Sequence, residues 1–76
     1  MIVEDEEDIL DLLEYTLSKE GYDVIACKDA SNVRDVLDEE EIALILMDRN
    51  LPGVEGAQYV SQLRTEGYNQ PVIYVS

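Results

Sequence analysis

Apolar residues along the chain alternate between short runs and helical spacing. Met1–Glu4 is a brief apolar stretch that predicts a first strand. Glu7–Glu20 then has apolar residues at the spacing of one helical face. Gly21 stands where a helix commonly ends on a left-handed residue. We therefore predict a helix whose buried face carries Ile9, Leu10, Leu13 and Leu17.

The switch between the two patterns then repeats. Tyr22–Cys27 predicts a second strand, and Ile42–Met47 predicts a third that is apolar enough to be buried on both faces. Between these strands, Asp29 and Ser31 offer side-chain oxygens for the N-cap of a second helix. The expected buried residues of that helix are Val33, Val36 and Leu37.

The last third of the chain adds one more helix and one more strand. Leu51-Pro52-Gly53 predicts a turn. We predict a third helix over Gly56–Glu66, with Tyr59, Val60 and Leu63 as its apolar residues and Gly67 at its end. The apolar run over residues 72–76 predicts a fourth strand. The order β-α-β-α-β-α-β predicts an α/β fold in three layers, with helices on both faces of a doubly wound parallel sheet.

Length and composition limit the architecture to one small domain. Seventy-six residues bury only about 60% of the surface that the unfolded chain exposes, so we expect modest stability. Cys27 is the single cysteine and there is no histidine, which excludes an internal disulfide and a zinc site of the usual composition. The cysteine content favours a reducing, cytoplasmic location.

The charge excludes two classes of partner. Eighteen acidic residues against five basic residues give a net charge of −13. Nucleic acids and anionic membrane surfaces are recognised by basic residues, so this chain is unsuited to either. No apolar run approaches the roughly 20 residues that span a bilayer. The first residues also lack the basic segment of a signal peptide.

Three acidic residues follow predicted strands directly. Glu4 and Asp5 come after the first strand, and Asp48 comes after the third. In open α/β sheets, ligands bind at the carboxyl ends of the strands, where the strand order reverses. If the order is 2-1-3-4, these three carboxylates converge. Two carboxylates about 5 Å apart repel by roughly 3 kcal/mol at an effective dielectric of 20, so one takes a proton or a cation lies between them.

A cluster of oxygen ligands with open positions suits Mg²⁺, which retains several water molecules. Such a site can also receive a phosphoryl group, because the metal neutralises charge on the transferring oxygens. A carboxylate can itself be the nucleophile and form an acyl phosphate. Acidic residues at strand ends are also common simply because loops are polar. The cluster by itself therefore leaves a purely structural role open.

Three segments together carry a resemblance to a known family. They are Ile2-Val3-Glu4-Asp5-Glu6, the stretch Leu44-Ile45-Leu46-Met47-Asp48-Arg49-Asn50-Leu51-Pro52-Gly53-Val54-Glu55-Gly56, and Pro71-Val72-Ile73-Tyr74-Val75-Ser76. In order and spacing they resemble the receiver domain of bacterial two-component response regulators, and the resemblance covers residues 1–76. It implies a flavodoxin-like receiver fold with strand order 2-1-3-4 in the part present here.

The resemblance also implies a role for each matching residue. Asp48 would be the phosphoacceptor, taking a phosphoryl group from a phosphohistidine of a sensor histidine kinase. Glu4, Asp5 and Asp48 would hold Mg²⁺ together with the backbone carbonyl of Asn50, with Glu4 acting mainly through a metal-bound water. The Ser76 hydroxyl would turn toward the phosphoryl oxygens and sense phosphorylation.

The sequence also departs from the family pattern. The resemblance implies five β-α units, whereas this sequence ends after the fourth strand, without the fourth and fifth helices and the fifth strand with its phosphate-binding lysine. We therefore expect the chain alone to be marginally folded and poorly phosphorylated. In the parent protein, the resemblance implies control of a DNA-binding transcriptional output domain and allows a homodimer through receiver domains.

Two other hypotheses remain at this stage. A pseudo-receiver would act only as a protein-interaction module, although Asp5 and Asp48 are both present. A phosphatase of the haloacid dehalogenase type also uses a strand-end aspartate with Mg²⁺. That class has an Asp-x-Asp pattern, whereas Asn50 stands two residues after Asp48. The leading hypothesis is a signalling switch and not an enzyme acting on an external substrate.

Overall fold

The structure is a computed structural model and describes residues 1–75. Four parallel strands form the main sheet, and two further strands form a small antiparallel pair. The elements follow the chain in the order β1 (Ile2–Val3), α1 (Glu7–Lys19), β2 (Ala26–Cys27), a 3-10 turn (Ala30–Asn32), α2 (Val33–Glu39), β3 (Ile45–Met47), β4 (Asn50–Leu51), β5 (Val54–Glu55), α3 (Gly56–Thr65) and β6 (Val72–Tyr74).

The main sheet has the strand order β2-β1-β3-β6. This confirms the predicted order 2-1-3-4, because β6 is the fourth strand of that sheet. The predicted turn at Leu51-Pro52-Gly53 lies within the β4–β5 pair, which the sequence did not indicate. Gly53 has φ +72°, a left-handed conformation that glycine adopts without steric strain.

The hydrophobic core lies between one face of the sheet and helices α2 and α3. On the opposite face, Leu10 of α1 is buried, and so is Ile2, whose side chain points away from that of its neighbour Val3. Helices therefore cover both faces, as the three-layer prediction requires. The buried core cluster consists of Val3, Cys27, Val33, Leu37, Ile45, Met47, Leu51, Tyr59, Val60 and Leu63.

Helix α1 is less buried than its apolar pattern predicted. Of the four residues expected to pack, only Leu10 is buried, and Ile9 is 41% exposed. The helix packs mainly over β1, and a groove of about 510 Å³ opens beside it, with Leu17 and Leu46 among its lining residues. The predicted burial of Ile9 was wrong. Helical periodicity shows which residues share a face, but it does not show how wide a part of that face packs against the sheet.

Strands β2 and β3 are shorter than predicted. Strand β2 is short because its partner β1 has only two residues, which pair with Ala26 and Cys27. Of the residues before them, Ile25 still accepts the backbone N–H of Ile2 at 2.8 Å, whereas Tyr22 is 65% exposed. In β3, Ile45 and Met47 are buried, but the preceding Leu44 is 38% exposed. Burial on both faces along residues 42–47 was therefore predicted wrongly.

The entry into α2 also differs from the prediction. The Asp29 carboxylate accepts the backbone N–H of Ser31 at 2.8 Å and so caps the 3-10 turn. Ser31 donates its hydroxyl to the same carboxylate and does not cap α2, which begins only at Val33. Because Asp29 binds its own local backbone, the chain makes one tight turn before the α-helix starts.

A polar network joins α2 to the end of α3. Arg34 donates to both carboxylate oxygens of Glu66, with 2.7 Å from Nη2 to Oε2, and donates from Nη1 to the hydroxyl oxygen of Tyr59. The Tyr59 hydroxyl in turn donates to the backbone carbonyl of Ala30 at 3.1 Å. The hydrogen bonds from Arg34 hold the pKa of Glu66 below its ordinary value of 4.5. The pair therefore fixes the spacing of the two helices on the core face.

Substituting Glu66→Gln should lower stability in a pH-dependent way. A carboxylate whose pKa is lowered by folding stabilises the protein above its unfolded pKa, and that contribution is lost as the pH falls through the folded pKa. The difference between wild type and variant should therefore be largest at neutral pH and shrink below about pH 4.5. Urea unfolding at several pH values measures it. Glu39→Gln, at an exposed position, serves as the control, and an equal loss in both variants would contradict the role of the pair.

Candidate functional site

Adjacent parallel strands bring the three predicted carboxylates together. Val3 of β1 is in register with Met47 of β3, so the residues that follow them leave the sheet at the same level. The backbone N–H of Asp48 donates to the carbonyl of Val3 at 2.9 Å, which extends the pairing by one residue. Carboxylate oxygens of Glu4, Asp5 and Asp48 lie within 4.8 Å of one another. The predicted convergence of these residues is confirmed.

The three carboxylates differ in exposure to solvent. Glu4 is 1% exposed and Asp48 is 6% exposed, whereas Asp5 lies at the surface. Two buried acidic residues side by side are unusual in a small domain, because an ionised carboxylate loses its hydration on burial. The site is therefore an acidic pocket with a floor made by Glu4 and Asp48 and a rim made by Asp5.

Backbone N–H groups donate to both buried carboxylates. Oε1 of Glu4 accepts the backbone N–H of Glu6 at 3.1 Å, and Oδ1 of Asp48 accepts the backbone N–H of Asn50 at 3.0 Å. Oε2 of Glu4 is buried and has no hydrogen-bond donor among residues 1–75. Such an orphaned carboxylate oxygen needs either a proton or a cation.

The surroundings of Glu4 disfavour its charged form. Burial raises the pKa of Glu4 above its ordinary value, and the backbone N–H of Glu6 opposes this only in part. The neighbouring charges of Asp48 and Asp5 raise the pKa of Glu4 further. A divalent cation would reverse this effect by attracting all three carboxylates at once.

The donor set fits Mg²⁺. It consists of the hard carboxylate oxygens of three side chains. One of these oxygens, Oε2 of Glu4, has no hydrogen-bond partner within the described part of the chain. Mg²⁺ typically takes one or two carboxylates and keeps water in its other positions. Glu4, Asp5 and Asp48 are the residues that would hold it. The backbone carbonyl of Asn50 was also predicted as a ligand. Asn50 begins β4, and its backbone N–H donates to Oδ1 of Asp48.

The loop after Asp48 is held tightly against α3. The backbone N–H of Gly56 donates to the carbonyl of Arg49 at 2.6 Å. A Cβ atom at Gly56 would lie 2.8 Å from both the Arg49 Cα and the Asp48 carbonyl oxygen. The Glu55 carboxylate caps α3 by accepting the backbone N–H groups of Ala57 and Gln58. These contacts fix where the chain leaves Asp48.

Two cationic side chains come from loops at this edge of the sheet. Lys28, just after β2, lies 3.5 Å from the Glu7 carboxylate at the start of α1. Arg49 directly follows Asp48, and its guanidinium carbon lies 5.0 Å from the centroid of the Tyr74 ring. Neither residue was predicted to belong to the site. The only signal for Arg49 was its position next to Asp48 in a strongly acidic chain.

The geometry therefore gathers most of the predicted site residues. Glu4, Asp5 and Asp48 meet, and Asn50 contacts Asp48 through its backbone. Ser76, predicted to sense the phosphoryl group, lies outside the described residues, so its role stays a prediction.

Comparison with known protein families agrees with this architecture. The model of the response regulator receiver domain matches residues 1–76. The chain belongs to the response regulator receiver domain family. The strand order of this receiver domain is the one that the resemblance implied, and the family supports a phosphoacceptor role in two-component signalling. Receiver domains are signalling modules and not classical enzymes, and they work with histidine kinases or other phosphodonors.

Among residues 1–75 of this receiver domain, no helix has both the length and the apolar character needed to cross a membrane.

Proposed function

We propose that this receiver domain accepts a phosphoryl group on Asp48 from a phosphohistidine of a sensor histidine kinase, in the presence of Mg²⁺. The observation that carries the proposal is the position of Asp48. Its carboxylate is almost fully buried, hydrogen-bonded by the Asn50 backbone and within 4.8 Å of two other acids. A carboxylate at a switch point of the sheet lies where ligands bind in such folds, and it can act as the nucleophile that forms an acyl phosphate.

The chemistry of this step balances without a further reactant. A carboxylate oxygen of Asp48 attacks the phosphorus, a new O–P bond forms and the P–N bond to the imidazole breaks. The imidazole leaves with the electron pair and takes a proton from solvent. The Asn50 N–H holds the attacking carboxylate in one orientation throughout. When bound, Mg²⁺ would neutralise the negative charge of the transferring oxygens.

The proposal extends to the cellular context. It places the domain in the cytoplasm, where a sensor kinase would meet it, and makes its phosphorylation the control of a DNA-binding transcriptional output domain in the parent protein. Association of two receiver domains would be the physical form of that control. The charge of −13 argues against direct contact of this domain with DNA. Isolation of the phosphorylated parent protein as a monomer on sizing would remove the homodimer from this account.

Metal binding is tested by substituting Asp5→Asn. Removal of one charge from the cluster should stabilise the metal-free protein by about 1 kcal/mol, or about 4–8 °C in Tm. In the wild type, Mg²⁺ at 100 times its Kd should raise the free energy of unfolding by about 2.7 kcal/mol. The variant should lose most of this gain at the same Mg²⁺ concentration. Thermal unfolding with and without MgCl₂ measures both effects.

Glu6→Gln is the matched control for this experiment. It removes the same charge one residue later, at an exposed position outside the carboxylate cluster. The control should keep the full Mg²⁺ response. If Glu6→Gln and Asp5→Asn lost the response equally, the cation would be held by diffuse surface charge and not by these three side chains.

The competing hypothesis of a pseudo-receiver predicts a different outcome. Such a protein would bind Mg²⁺ weakly or not at all and would take up no phosphoryl group from a kinase. Beryllofluoride with Mg²⁺ separates the two hypotheses, because it mimics a phosphoryl group on an aspartate. In ¹⁵N NMR spectra, a phosphoacceptor should show a large shift of the Asn50 amide, whose hydrogen bond to Asp48 would be perturbed directly. An unchanged spectrum would favour the pseudo-receiver.

A further inference from the structure

Helix α1 leaves part of its face of the sheet uncovered. The strand register places Ile2 of β1, Leu46 of β3 and Ile73 of β6 in one row across the sheet. Burial falls along this row, because Ile2 is 1% exposed, Leu46 is partly buried and Ile73 is 51% exposed. The α1 side of β3 and β6 therefore forms the floor of the groove beside α1.

Such an uncovered face is unusual for parallel strands. Parallel sheets occur almost only with helices over both faces, because both faces of their strands are apolar. The core face of β3 is covered by α2 and α3. Among the residues that line the groove none is basic, and two are acidic, Asp23 and Glu41. The groove therefore suits a helix that has an apolar face and a cation near its end.

The outer face of α1 has these properties. Leu12, Tyr15 and Lys19 stand at positions i, i+3 and i+7, so they share one face of the helix. Leu12 is 64% exposed and Tyr15 is 66% exposed. Lys19 forms no ion pair with any of residues 1–75. These three residues, which we call the outer stripe, provide the apolar surface and the cation that the groove lacks.

The exposed apolar side chains are concentrated on these two surfaces. Residues 1–75 contain six large hydrophobic residues that are exposed, three on α1 and three lining the groove: Ile9, Leu12 and Tyr15 on the helix, and Tyr22, Leu44 and Ile73 at the groove. One surface is convex and the other is concave. Two complementary surfaces on one chain permit a closed dimer in which each copy provides a helix and receives one.

We propose that two copies of this chain form a dimer in which α1 of each copy packs in the groove of the other. The two helices lie side by side in one layer between the two sheets. Leu12 of one copy packs against Ile73 of the second copy, and the same contact repeats across the two-fold axis. The contact uses neither Asp48 nor its metal site, so its failure would leave the proposed phosphoryl transfer untouched.

Charge favours one direction of the two helices. Tyr22 and Asp23 follow α1 directly and line the groove at the end where β3 begins, and Glu41 lies there too. With the two-fold axis along the strands, the C-terminal ends of both helices lie at that end of the dimer. Lys19 of each copy then faces Asp23 and Glu41 of the other, which selects this direction over the reverse.

The size of the contact predicts a reversible dimer. Helix α1 has 13 residues and so is about 20 Å long and about 10 Å wide, which gives about 300 Å² for half of its lateral surface. Two helices and two grooves would bury about 1,200 Å² in total, the lower limit for specific complexes. The charge of −13 on each copy also opposes association. NaCl should therefore strengthen the dimer, because the screening length falls from about 10 Å at 0.1 M to about 3 Å at 1 M.

Sedimentation equilibrium of the unphosphorylated chain, over a range of protein and NaCl concentrations, measures the association. We expect a monomer–dimer equilibrium whose Kd falls as the NaCl concentration rises. Leu12→Lys should raise the Kd about a hundredfold, about tenfold for each of the two equivalent contacts. Ile73→Glu should have a similar effect from the groove side. Both side chains are exposed in the single chain, so the Tm of each variant at low protein concentration should stay near that of the wild type.

Mixing the two variants tests the arrangement itself. A dimer of one Leu12→Lys copy and one Ile73→Glu copy joins the two new opposite charges in one contact and leaves the other contact as in the wild type. The mixture should therefore associate at least about tenfold more tightly than either variant alone. Gln58→Lys and Gln58→Glu make similar charge changes at an exposed position on α3, and both should dimerise as the wild type does.

Three results would overturn the proposed dimer. A chain that stays monomeric at high protein and NaCl concentrations would assign the groove to a different protein. A dimer that Leu12→Lys and Ile73→Glu leave unchanged would place the contact elsewhere, such as at the open edge of β6. A mixture that associates no more tightly than the separate variants would show that α1 of one copy does not lie in the groove of the other.

Discussion

Substituting Asp48→Asn should abolish phosphoryl uptake from a sensor histidine kinase. The amide lacks the charged oxygen that attacks phosphorus, so the side chain at position 48 can no longer act as the nucleophile. At the same time, the variant should be more stable than wild type in the absence of Mg²⁺, because one of three clustered charges is gone. Transfer of radiolabelled phosphoryl from the kinase measures the first effect.

The opposite signs of these two effects make the experiment decisive. A variant that failed to accept phosphoryl because it had unfolded would show a lower Tm, whereas the expected variant shows a higher one. Asp35→Asn provides the control, since it removes the same charge from an exposed position on α2. That control should accept phosphoryl at the wild-type rate. Retained uptake in Asp48→Asn would move the acceptor to another residue.

Substituting Gly56→Ala should cause the largest loss of stability among the four possible glycine-to-alanine substitutions of this domain. The added Cβ would lie 2.8 Å from the Arg49 Cα and from the Asp48 carbonyl oxygen, and backbone atoms cannot rotate away as side chains do. Overpacking of this kind costs about 1–3 kcal/mol and sometimes more. For 76 residues the whole free energy of unfolding is on the order of 4–11 kcal/mol, so a large share of it would be lost.

The same substitution should also weaken Mg²⁺ binding at the functional site. The added Cβ would press on the backbone of Asp48, whose carboxylate belongs to the metal site. Mg²⁺ should therefore stabilise Gly56→Ala less than it stabilises the wild type. Gly67→Ala is the comparison, since its Cβ would meet open space and only the left-handed backbone, with φ +99°, is strained. Urea unfolding of both variants with and without Mg²⁺ measures the difference. An equal loss in both would mean that the α3 start tolerates a side chain.

The sequence predicted the functional site better than it predicted the extent of the strands. The positions of Glu4, Asp5 and Asp48 depend only on strand order and on the residue at which each strand ends, and both follow from patterning together with the family resemblance. Strand lengths depend on pairing partners. Residues 22–25 have strand-like composition, but β1 offers only two residues for pairing. Local pattern cannot reveal such a limit, because it is set by another segment.

Contacts between distant segments were also beyond the sequence. Nothing in the spacing of Arg34 and Glu66 indicated that they would meet across two helices. The close approach of Gly56 to Arg49 was hidden for a different reason, since glycine at a helix start is common without any crowding. Arg49 lies two residues after the end of β3 and Tyr74 is the last residue of β6, so only the β3–β6 register places one near the other.

The position of the phosphoryl group is the most direct test of the central claim. The protein is incubated with Mg²⁺ and the phosphorylated kinase domain, then treated with borohydride, which reduces an acyl phosphate to the alcohol and so converts the acceptor aspartate to homoserine. Peptide mass spectrometry then locates the modified residue, and its position decides the question whatever the yield. The account predicts homoserine at position 48 and at none of the other acidic positions. Modification at another acidic residue, or an unmodified Asp48 after the kinase has lost its phosphoryl group to this domain, would contradict it.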